Sequence, residues 1–155
     1  GDVSYRVVSH LVNSEILFDK TGKLQNTIDS VTPLPPLFKK SVTNHFVKQM
    51  NNSIIHIDKV SKREDQFHFM SLVGLILFCY INVLYVLNNR YPVIEKGNFK
   101  VAETLAKVPA EFTQKISAIY AAAAALDYAT SRKQIKALMI ELKQLIHENQ
   151  KEQNQ

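Results

Sequence analysis

Apolar positions change their spacing several times along this chain, and each change marks an element. In residues 67–87, "FHFMSLVGLILFCYINVLYVL", they run together: twenty-one residues without a charge. In residues 37–62 they are periodic, with Phe38, Val42, Phe46, Met50, Ile54 and Ile57 recurring every three or four positions. That is one apolar stripe on an amphipathic helix. The last third repeats the pattern. Phe112, Ile116, Ile119, Tyr120 and Ala123 form the inner face of one predicted helix, with Pro109 and Glu111 in its first turn. Ile135, Leu138, Met139, Leu142, Leu145 and Ile146 form the stripe of another over 131–148, for which Ser131 and Gln134 make a capping-box pattern.

The first thirty-six residues are the least legible. Val8, Leu11, Val12 and Ile16 predict a short helix over 4–17, "DKTGK" a turn, and the prolines of "TPLPPL" a boundary. "SKRED" (61–65) is a charged break, and Pro92 forbids continuation of the apolar run. "IEKGN" (94–98) reads as a turn, 99–107 as a short helix, and 149–155 as a fraying polar tail. The expectation is therefore all-α: a single domain of about five helices, with 67–87 as its central or membrane-spanning helix and 99–148 as a C-terminal helical region.

The 67–87 run decides between two settings. As a helix it is roughly 31 Å long, near the thickness of a bilayer's hydrocarbon. Its mean hydropathy of roughly +2 suits a span. Charges stand at both ends, and three basic residues flank each side, so orientation is not readable. Yet the run has an inner asymmetry. His68, Ser71, Gly74, Asn82 and Tyr85 fall on one side of the helix, within about 120° of arc. Such a polar, small-residue seam faces other helices in a membrane; in a water-soluble bundle it would be the less covered side of a core helix.

Composition narrows this little. With 46% apolar and 21% charged residues, the chain of 155 is neither disordered nor unusually polar. Its net charge of +5 is dispersed: nine basic against seven acidic residues in 1–66, ten against seven in 88–155. A dispersed excess argues against a nucleic-acid partner. The beginning has no signal-peptide pattern.

No chemistry emerges. "ILFDKTGKL" resembles the phosphorylation signature of P-type ion pumps at Asp19, Lys20, Thr21 and Gly22. Lys23 and Gln25 depart from it, and this chain has no room for the nucleotide domain that signature requires, so a Gly-containing turn with a solvated Asp is expected. The histidines at 10, 45, 56, 68 and 147 lack ligand spacing. His56 beside Asp58 reads as a surface pair, and Cys79 as an inert packed thiol. "NNS" (51–53) fits a glycosylation acceptor. Arg132, Lys133 and Lys136 read as a solvated basic face. No catalytic residue, metal or cofactor is expected. The role expected is structural: a single-pass helical accessory subunit of a membrane complex, membrane-associated, its partners being other subunits, a second copy or lipid. The alternative is a soluble helical-bundle module that binds a partner helix, a membrane surface or a small apolar ligand.

Overall fold

The computed structural model describes residues 4–92 and 98–153, and they are all-helical, with no strand among them. The helices are α1 (Ser4–Val12), α2 (Lys23–Val31), α3 (Pro36–Val60), α4 (Gln66–Leu87), α5 (Asn98–Ala102), α6 (Phe112–Ala124) and α7 (Tyr128–Gln153). A 3₁₀ turn, Ser61–Arg63, links α3 to α4. The expected turn at 94–98 falls largely on 93–97, outside the described residues.

The core is built around α4. Its N-terminus is fixed by Asp65, whose carboxylate accepts the His68 amide at 3.0 Å. Its C-terminus is closed before Pro92 is reached. Asn89 adopts φ 57, the Arg90 amide donates to Tyr85 O and the Asn89 amide to Val86 O. That is a Schellman ending, with Asn at the left-handed position. Between these ends, 14 of 22 residues are buried. α3 packs along one side, burying Val42, Phe46, Met50, Ile57 and Val60. The remaining cover comes from α5, α6 and α7. Ring pairs join the layers: Phe46 with Phe78, Phe69 with Tyr128, and Tyr80 stacked on Phe112.

Several expected boundaries move. The first helix stops at Val12 instead of 17, and α2 is a helix the spacing did not announce. α2 buries no residue completely; Leu24, Ile28 and Val31 are half-buried. The helix expected over 99–107 ends at Ala102, where tight turns take over. α6 starts at Phe112, so Pro109 and Glu111 precede it, and Glu111 is a left-handed cap residue. α7 outruns 131–148 at both ends and includes most of the expected tail. The Ser131–Gln134 capping box does not form. Asp127 precedes the helix and accepts the Thr130 amide, while buried Ser131 donates to Ile119 O and ties α7 to α6.

Candidate functional site

The seam of α4 is split by the fold. His68 and Ser71 are exposed at its first turns, and Ser71 donates back to Phe67 O. Gly74 is half-buried beside Tyr120, but a Cβ there would lie 4.0 Å from Tyr120 Oη, so no close backbone approach depends on it. Asn82 is only 2% exposed; its Oδ1 accepts Tyr5 Oη from α1 at 3.1 Å, and its Nδ2 donates to Phe78 O. Tyr85 is fully buried. Where the seam is covered at Asn82, this chain's own α1 supplies the contact.

The α7 stripe lies inside the same chain. Ile135, Leu138, Met139 and Leu142 are buried in the common core, and Leu145 and Ile146 pack against it. Helices α4 and α6 of the same chain cover the buried part of this stripe, which the sequence offered as a seam for a partner helix. Of the five consecutive alanines Ala121 to Ala125, only Ala123 is buried.

The remaining chemical candidates have structural duties. Asp19 Oδ2 accepts the Gln25 amide, and Gly22 takes φ 69, so "DKTGK" is the turn that starts α2. Asp58 pairs with Arg132 (3.3 Å) and Lys136 (3.1 Å) across the α3–α7 contact, in place of an expected pair with His56. Such half-exposed pairs contribute about 0–1 kcal/mol each. Burial pushes the Cys79 thiol up to about 12, and its Sγ approaches Gln49 Oε1, so it is neither thiolate nor nucleophile near neutrality. Burial, and secondarily Glu141, also raises Tyr80. Among the described residues, no group of three or more His, Cys, Asp or Glu side chains could hold a metal.

A concavity lies where three elements end together. Residues Pro36, Lys39, Lys40, Thr43 and Asn44 of α3, Val86 and Leu87 of α4, and Ile146, Asn149 and Gln150 of α7 enclose about 440 Å³. The α3 residues recur at helical spacing, so they present one side of that helix. The α7 wall is braced. Lys107 Nζ donates to Asn149 Oδ1 at 2.7 Å and pairs with Glu152, while its backbone amide donates to Asn88 Oδ1 just past α4. No local pattern in the sequence marks this cleft, because its walls come from segments some fifty and sixty residues apart.

The model of one protein family matches residues 2–97, well over half of the chain. The chain belongs to that family, described as Domain of unknown function (DUF4037). No curated protein and no solved structure matches. The matched stretch holds α1 to α4; α5 to α7, which complete the cover of α4, follow it.

Proposed function

We propose that this protein is a non-catalytic helical-bundle binding module, with α4 as its core helix and the cleft at the α3–α4–α7 end as its binding surface. One observation carries the reading: 72% of the most apolar stretch of α4 is buried by the rest of the chain. A helix this apolar needs cover, and packing against α3, α5, α6 and α7 supports that setting, with 14 of its 22 residues buried. The cleft is the place where that cover leaves a volume suited to a small ligand.

The length of α4, 22 residues, and its hydropathy of 2.2 favour a second reading, a single-pass subunit of a membrane complex. It carries a physical cost. For lipid to surround α4, α3 and the α6–α7 pair would have to leave it, exposing Phe46, Met50, Ile57, Ile119 and Leu142. Burying one such side chain is worth about 1.5–3 kcal/mol.

Hydrogen exchange in detergent-free buffer tests the first reading. The amides of α4 are expected to be the slowest in the molecule, opening only with global unfolding. Rapid exchange through 69–87, with α3 and α7 still protected, would refute a core role.

A further inference from the structure

We propose that the cleft binds a small organic phosphate monoester, with the phosphate at Lys39 and Lys40 and the organic body on Val86, Leu87 and Ile146. The inference rests on the binding-module reading and adds the ligand's chemistry. Its first support is the sign of the lining: two lysines and no carboxylate. Neither lysine has an ion-pair partner among the described residues. Both line a cleft without a carboxylate beside them, and a doubly charged anion would supply the missing counter-charge. The first turn of α3 reinforces them, since it contains no acidic residue and has no side-chain cap.

The second support is the floor. Val86 and Leu87, nearly buried at 2% and 4% exposure, close the base of the cleft, and half-buried Ile146 offers the apolar wall against which an organic group would rest. The third is the amide set. Lys107 occupies Asn149 Oδ1, which leaves Asn149 Nδ2 as a donor, and Thr43, Asn44 and Gln150 complete a neutral polar rim. The volume lies in the range of small-ligand sites.

The test is an NMR titration of the full chain, read at the methyls of Val86, Leu87 and Ile146. The probes are phenyl phosphate, phenylacetate with one charge, and neutral benzyl alcohol. Phenyl phosphate is expected to saturate these shifts and to bind at least about tenfold more tightly than benzyl alcohol. The K39Q/K40Q double variant should lose about tenfold, while K39R/K40R should retain most of the affinity. Thermal melts verify that both variants fold. Equal binding of phenyl phosphate and benzyl alcohol would reduce the cleft to an apolar crevice and overturn the proposal. So would an absence of saturable shifts. Binding to phosphatidate vesicles without binding to phenyl phosphate would also overturn it, in favour of a membrane surface. If the chain stays in solution only with detergent, the bundle reading fails by itself. A chain that is soluble without detergent and binds no phenyl phosphate leaves the bundle reading standing and overturns the ligand alone, so the two failures are distinguishable.

Discussion

A methyl group added at position 74 would sit 4.0 Å from Tyr120 Oη, an ordinary contact. Gly74 is in mid-helix, where glycine costs about 1 kcal/mol relative to alanine. Gly74→Ala is therefore expected to stabilise the protein by about 0.5–1 kcal/mol in chemical denaturation; a loss of similar size would show that the seam does need a bare backbone there. Cys79 makes a second prediction. Its thiol is raised from 9.0 to about 12 by burial, so the folded state keeps a proton that the unfolded state releases. The stability tied to this group is full below pH 9 and drains away as pH rises towards 12. Tyr80, also raised by burial, acts in the same direction. Native Cys79 should resist thiol reagents at pH 8 and react only as fast as the protein unfolds, whereas prompt labelling would contradict the burial. Single residues were partly readable from sequence. An inert Cys79 follows from its apolar neighbours, but nothing local announces that Asp58 meets Arg132 and Lys136 from seventy-four and seventy-eight positions away.

At the scale of elements, sequence periodicity located the long helices and misjudged their ends. The stripe from Phe38 to Ile57 marks α3 because one face is buried from Val42 to Val60, about five turns. α2 escaped because three half-buried apolar residues, closely followed by prolines, carry little periodic signal. The end of α6 depends on a residue that sequence rules disfavour. Leu126 holds φ 62 at a Schellman ending, with the Asp127 amide bonded to Ala122 O and the Leu126 amide to Ala123 O. Glycine takes that conformation without the side-chain penalty. Leu126 is exposed, so Leu126→Gly should raise stability by about 1 kcal/mol, read from a shifted denaturation midpoint. A lowered midpoint would mean that the leucine side chain has a partner. α1 is attached to the seam through Tyr5 and Asn82, and by Ser9, which donates to Pro92 O. Asn82→Leu keeps α4 apolar and removes the acceptor. It should speed hydrogen exchange in α1 severalfold and change global stability by under about 1.5 kcal/mol. Unchanged exchange in α1 would show that Asn82 does not hold it.

For the whole molecule, hydropathy leaves two settings open because it reports how apolar a helix is and not what touches it. A run that could cross a bilayer and a run at the centre of a bundle have the same composition. Only the tertiary arrangement adds the cover: α3 on one side and α5 to α7 on the others. The cleft was illegible for the same reason. Lys39 and Lys40 look like ordinary surface lysines until α7 brings Asn149 and Ile146 opposite them. The central claim, that α4 is covered by its own chain, is tested most directly by expressing residues 1–155 without detergent and fractionating the lysate with an alkaline wash. The account predicts a soluble, monodisperse protein of 17.7 kDa. A chain that stays in the membrane pellet through the alkaline wash, and is released only by detergent, would contradict it.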